Sequence, residues 1–129
     1  MREGMKIGEL AERAGVTQRT VRYYQGLGLL APGGRQGNGH HFYPEQTVAR
    51  LHKIDQLKRL GLSLEEIGEV IELYFTDLSG VQPKRKVLDM LHRHLAEAEG
   101  RLTELQQFRA DLEGHIARFE RFLETGEHS

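Results

Sequence analysis

The chain has 129 residues, 38% hydrophobic and 29% charged, with five Phe, four Tyr and no Trp; that suits one small domain with or without a long helix, excludes a two-lobed enzyme, and leaves a core modest enough for a partner subunit to complete. With no Cys, the chain lacks disulfides, thiolate metal sites and thiol redox sensing, and with no run of 18 apolar residues and a start at Met1-Arg2-Glu3 it is expected to be cytoplasmic, with no membrane partner. The formal net charge of -1 conceals a split, ten Lys or Arg against five acids in residues 1–62 and eight against fourteen in residues 63–129, so that the front half suits nucleic acid and the back half does not.

Ile7, Leu10, Ala11 and Ala14 are spaced for one face of a short helix that Gly15 stops. Thr17 then caps a second helix through about Gln25, with Val21 and Tyr24 inward and Gln18, Arg19 and Arg22 pointing elsewhere. Two short helices around a tight glycine turn form a candidate helix-turn-helix. Leu27, Leu29 and Leu30 follow and read as core beneath it. The glycine-rich stretch over residues 31–43, ending in Phe42 and Tyr43, suits a two-stranded wing. It lacks the spacing of a dinucleotide loop and the Gly-Lys-Ser/Thr ending of a P-loop, which argues against a nucleotide enzyme.

Pro44 is placed for the first turn of a third helix whose buried face is Val48, Leu51, Ile54, Leu57 and Leu60, ended by Gly61. Ser63 and Glu66 have capping-box spacing for a fourth helix with a stripe of Leu64, Ile67, Val70, Ile71 and Tyr74. Residues 77–83 read as a linker. Beyond it, Leu88, Leu95, Leu102, Arg109, Ile116 and Leu123 recur every seven residues, as do Leu91, Ala98, Leu105, Leu112 and Phe119. Two interleaved sevenfold series indicate a coiled coil over residues 84–123, about 60 Å long, that needs a second helix beside it. Residues 124–129 read as a flexible tail. The heptads leave the orientation of the pair open; an antiparallel one would let Arg109, alone in being charged, leave the seam near a helix end.

The opening Ile7-Gly8-Glu9-Leu10-Ala11, then Gly15-Val16-Thr17, Thr20-Val21-Arg22-Tyr23-Tyr24, Gly28-Leu29-Leu30 with Pro32, and the later Leu60-Gly61-Leu62-Ser63-Leu64-Glu65-Glu66-Ile67 resemble the MerR family of bacterial transcription regulators along nearly the whole chain. The resemblance implies a mainly α protein: a winged helix-turn-helix head over residues 1–76 followed by a long antiparallel dimerisation helix. It also implies a homodimer on a near-palindromic promoter operator in double-stranded DNA, distortion of that DNA, and RNA polymerase as a partner. On matching positions, Thr17, Gln18, Arg19, Arg22, Tyr24, Arg35, His40 and His41 are the expected DNA contacts, with Tyr23 supporting the fold. Arg19 is expected at a base edge and Arg22 at the backbone. His41 departs from the family's usual Arg, so wing affinity is expected to fall as pH rises through neutrality.

Leu88, Leu91, Leu95, Leu102, Leu105, Leu112, Ile116, Phe119 and Leu123 are the expected dimer seam. Tyr74, Phe75 and Phe108 read as subunit packing, with a small-molecule effector pocket as the alternative. The histidines lack a third metal ligand at suitable spacing, so no metal and no cofactor is expected. Glu65, Glu66 and Glu69 decorate one helix and Ser63 has no base near it, so no catalysis is expected. The rival to a promoter regulator is an architectural or partner-dependent DNA-binding protein.

Overall fold

The computed structural model describes residues 4–36 and 40–126, and of residues 35, 36, 40 and 41 only the backbone. Helix α1 (Ile7–Ala14) ends where Gly15 takes a left-handed conformation (φ 73°), and its N–H closes back onto the last carbonyls of the helix. Thr17 then caps α2 (Gln18–Gly26), its Oγ1 accepting from Thr20 N–H at 3.0 Å. The wing follows as antiparallel strands β1 (Gly34–Gln36) and β2 (His40–Phe42), paired Gly34 to Phe42, Arg35 to His41 and Gln36 to His40. Its glycine tip, residues 37–39, lies outside the described residues. Below the wing, Met5 and Tyr43 exchange backbone hydrogen bonds of 2.8 and 2.7 Å. Gly4 makes that approach feasible, because a Cβ there would stand 2.5 Å from the Tyr43 carbonyl oxygen.

Helices α3 (Gln46–Arg59), α4 (Leu64–Val70) and α5 (Leu73–Thr76) lead into α6 (Val81–Thr125). The chain divides after Leu91 into two units. In the first, Leu10, Val21, Leu29, Leu30, Leu51, Ile54, Leu57, Ile67, Val70 and Ile71 form one core, completed by Val87 and Met90 from the start of α6. Ser63 and Glu66 form the full capping box: Glu66 N–H donates to Ser63 Oγ at 3.1 Å and Ser63 N–H to Glu66 Oε1 at 2.9 Å. Ser63→Ala is expected to lower the stability of the first unit by about 1 kcal/mol, read as a shift in urea midpoint at unchanged slope.

Several expectations need correction. Pro44 stands two residues ahead of α3, because the entry is a turn closed by Thr47 N–H donating to the Pro44 carbonyl at 3.0 Å. Leu60 is half exposed, and so is Leu27, which caps the end of α2. A strict three-residue series drifts about 60° per step around a helix of 3.6 residues per turn, so Val48 to Leu60 cannot share one face. Only its middle members, Leu51, Ile54 and Leu57, are buried. The fourth helix is interrupted at residues 71 and 72, where Tyr74 N–H bonds the Ile71 carbonyl three residues back, and the chain resumes as α5.

Helix α6 begins at Val81, inside the expected linker, and extends to Thr125, inside the expected tail; residues 127–129 lie outside the described residues. Asp77 explains the early start. Its carboxylate accepts from the Ser79 hydroxyl (2.6 Å), Ser79 N–H (3.0 Å) and Gln82 N–H (2.9 Å), while Ser79 Oγ accepts from Val81 N–H (3.2 Å). These bonds, the Ser79 hydroxyl first, hold the Asp77 pKa below its ordinary value. Because the folded pKa is depressed, this start is fully supported at neutral pH and weakens as pH falls through the acid range below the usual carboxylate value. Arg109 sits about four turns before the end of α6, rather than near a helix end.

Candidate nucleic-acid interface

Helix α2 carries the site. At 100° per residue, Tyr23 lies 40° from Arg19, with Arg22 and Gln18 on its other side, while Val21 and Tyr24 point the opposite way. The structure follows this wheel: Gln18, Arg19, Arg22 and Tyr23 are exposed, and Val21 and Tyr24 are buried. Thr17 is exposed and committed to the cap, its hydroxyl donating to Thr20 Oγ1 at 3.0 Å. Arg22 Nη2 donates to Gln18 Oε1 at 3.4 Å, one turn back on the same face. Among the described residues Arg19 makes no hydrogen bond or ion pair. Its guanidinium is available for an external acceptor.

Tyr24 takes the inward place its helix position implies, and Tyr23, expected to support the fold, lies on the outer face. Tyr24 is only 6% exposed, and its hydroxyl accepts from Lys58 Nζ at 3.3 Å, whereas Tyr23 is 56% exposed. The wheel contains that distinction, and it is the signal that would have found Tyr23. At the other edge of α2, the Tyr43 hydroxyl donates to Gln25 Oε1 at 2.6 Å and ties the helix to the base of the wing. Burial raises the Tyr43 pKa against the opposing charge of Arg22, so the phenol keeps its proton and this tie persists at neutral pH. The backbones of Arg35, His40 and His41 form the wing; their side chains lie outside what is described.

Two further arginines, unforeseen in the sequence, hold this frame. Arg13 makes a two-pronged pair with Glu45 (2.9 and 2.8 Å), joining the end of α1 to the entry of α3. Its hydrogen bond keeps the Glu45 pKa below the usual value. Arg50 donates from Nε to the Leu29 carbonyl at 2.7 Å and from Nη1 to Glu72 at 2.8 Å. It thereby fixes the exit of α2 against the turn before α5. Residues 13–44, which contain α2 and the wing, include four Arg and no Asp or Glu. Of Arg13, Arg19 and Arg22, only Arg13 is matched by a carboxylate among the described residues.

The residues of the alternative effector pocket fall in both units. Phe75 lines a recess of about 370 Å³ with Leu30, Pro44, Thr47, Arg50 and Glu72, and the Lys53 ammonium sits 4.5 Å from the centre of the Tyr74 ring. Phe108 belongs to the second unit. There, Leu95, Leu102, Leu105, Leu112, Ile116, Phe119 and Leu123 are all exposed along α6. Leu88 in the first unit is also exposed, and Leu91 is half-buried. Among the described residues there is no grouping of three metal-binding side chains, and no helix is long and apolar enough to cross a membrane.

The family model for the MerR HTH family regulatory protein matches residues 5–73, and one described as MerR, DNA binding matches residues 48–115. The HTH-type transcriptional regulator CueR of Salmonella typhi is 34% identical over 111 residues, covering 84% of this chain and 76% of CueR. The nodulation protein NolA of Bradyrhizobium elkanii is 39% identical over 98 residues; the match takes in 76% of this chain but spans only 40% of NolA. Among solved structures, the transcription regulator PbrR691 from Ralstonia metallidurans CH34, in complex with lead(II), superposes with a TM-score of 0.69 at 28% identity, covering 88% of this chain and 86% of that one. The winged helix-turn-helix head, the long C-terminal helix and these matches together place the chain in the MerR family of DNA-binding transcription regulators.

Proposed function

We propose that this protein controls transcription in the cytoplasm by binding, as a homodimer, a near-palindromic promoter operator and distorting it. The observation that carries this reading is the outer face of α2: Arg19, Arg22 and Tyr23 are exposed together within an acid-free segment. A helix of this size fits the major groove, where the Arg19 guanidinium can take a guanine edge and Arg22 a phosphate. The wing backbone brings Arg35, His40 and His41 toward the flanking phosphodiester. Two copies joined through α6 would present two such helices to half-sites one or two helical turns apart, and bending between them would supply selectivity at base pairs that the protein does not touch. RNA polymerase would then meet the protein at the promoter. In the first unit, the recess beside Phe75 has room for a small effector.

Selection of bound duplexes from a random pool by the purified protein tests this. An inverted repeat with fixed spacing is expected. Binding without an enriched motif, falling uniformly with salt, would favour the architectural alternative. On the selected duplex, Tyr23→Phe is expected to weaken binding about five- to tenfold through loss of one hydroxyl contact in each half-site, while Tyr24→Phe stays within twofold. Fluorescence anisotropy at fixed salt separates the two.

A further inference from the structure

The recess in the first unit joins an apolar wall to a pair of opposite charges. Phe75, Leu30 and Pro44 supply the apolar lining, and Arg50, Glu72 and Thr47 bring polar groups to it. At about 370 Å³ it lies at the small end of ligand pockets, which run from about 300 to about 1,000 Å³. Resting on the DNA-binding regulator proposed above, we infer that this recess is an effector site for a free α-amino acid with an apolar side chain. Arg50 and Thr47 take its carboxylate, Glu72 takes its ammonium, and Phe75 and Leu30 take its side chain.

The polar groups of the recess have bonding capacity to spare. Thr47 is only 8% exposed, and its hydroxyl has no hydrogen-bond partner among the described residues. No buried side-chain nitrogen or oxygen among those residues lacks a partner, so this hydroxyl keeps an open approach, and the recess that Thr47 lines provides it. Arg50 is half-buried and gives Nε–H to the Leu29 carbonyl and one Nη1–H to Glu72. Its Nη2 donors remain, on a guanidinium whose carbon stands 5.7 Å from the centre of the Phe75 ring. Glu72 is exposed and gives Arg50 one carboxylate oxygen, which leaves the other open to a cation.

Charge balance sets the ligand class. Arg50 would attract a plain carboxylate that Glu72 repels, and Glu72 would attract a plain amine that Arg50 repels. A zwitterion whose two charges flank one carbon meets both groups and leaves the Arg50–Glu72 bond intact. The apolar lining then suits a hydrocarbon or aromatic side chain, which it removes from water. Occupancy reaches the DNA-reading helix through Arg50, because the same guanidinium holds the Leu29 carbonyl at the exit of α2. A ligand shifts DNA affinity only by as much as it prefers one placement of α2 over another, and Arg50 is the group that senses both.

Calorimetric titration of the full chain, free of DNA, with a panel of L-amino acids at millimolar concentration tests the site. At least one apolar member is expected to bind, and its deaminated carboxylate and its decarboxylated amine to bind about tenfold more weakly or worse. Thr47→Val is expected to weaken that binding about five- to tenfold yet leave the melting midpoint in place, since the hydroxyl has no partner to lose. Glu72→Gln is expected to cost about tenfold or more through loss of the ammonium contact. A panel without a binder, or binding that survives both substitutions unchanged, would overturn the inference. So would a deaminated analogue that binds as tightly as the amino acid. Anisotropy titration of the selected duplex with and without the bound amino acid is expected to show a change in operator affinity of about fivefold or more. Binding with no such change would overturn the effector role. Absence of any selected duplex would defeat the regulator reading itself and the effector role with it, whereas the calorimetry decides the site on its own.

Discussion

Arg19→Ala is expected to lower operator affinity by about 10²- to 10⁴-fold without changing the melting midpoint. A bidentate guanidinium contact to a base is worth about 1–3 kcal/mol of discrimination, and a dimer loses it in both half-sites. Arg19→Lys is expected to recover little, because an ammonium cannot span two acceptors on one base edge. The fold is indifferent to either change, since Arg19 is exposed and holds no partner among the described residues. Arg22→Ala is the control for a backbone contact: it should weaken binding to all duplexes similarly and reduce the salt slope by about one per copy. Titrations of selected and scrambled duplexes at several salt concentrations check both. Equal losses on the two duplexes for Arg19→Ala would remove it from base recognition.

Leu105→Asp is the second large effect. Leu105 is 63% exposed on α6 in the single chain, yet belongs to the proposed dimer seam. The substitution removes a leucine worth about 2–5 kcal/mol when buried and sets a carboxylate in its place, twice per dimer. A rise of at least 10³-fold in the dimer dissociation constant is expected by sedimentation. Operator affinity should fall with it, because a lone head loses the effective concentration that links two half-sites. The first unit should keep its melting transition, as Leu105 lies outside its core.

Local rules made much of the head legible. The Gly15 turn, the Thr17 cap and the Ser63–Glu66 box involve residues within a turn of one another, and their sequence spacing fixes their geometry. The wing follows from a glycine run between two short extended segments. Helical phase was also available at α2, and applying the 100° step to each residue separates Tyr23 from Tyr24. The same step limits the buried face of α3 to its middle leucines and isoleucine.

What the sequence withholds is long-range. Arg13 finds Glu45 32 positions away and Arg50 finds Glu72 22 away, pairings set by how helices pack rather than by any local pattern. The start of α6 lay between these extremes. Asp77, Ser79, Gly80 and Pro83 resemble a linker by composition, but the Asp77 and Ser79 side chains satisfy the first free N–H groups of a helix. Heptad spacing did mark the apolar row that α6 leaves exposed from Leu95 to Leu123.

Hydroxyl-radical footprinting on a duplex recovered from the random pool tests most directly whether two α2 helices read two half-sites. Two symmetric protected patches are expected, centred one or two helical turns apart, and both should vanish together with Leu105→Asp. A single protected patch, or two that survive loss of the dimer unchanged, would contradict a dimeric reader joined through α6.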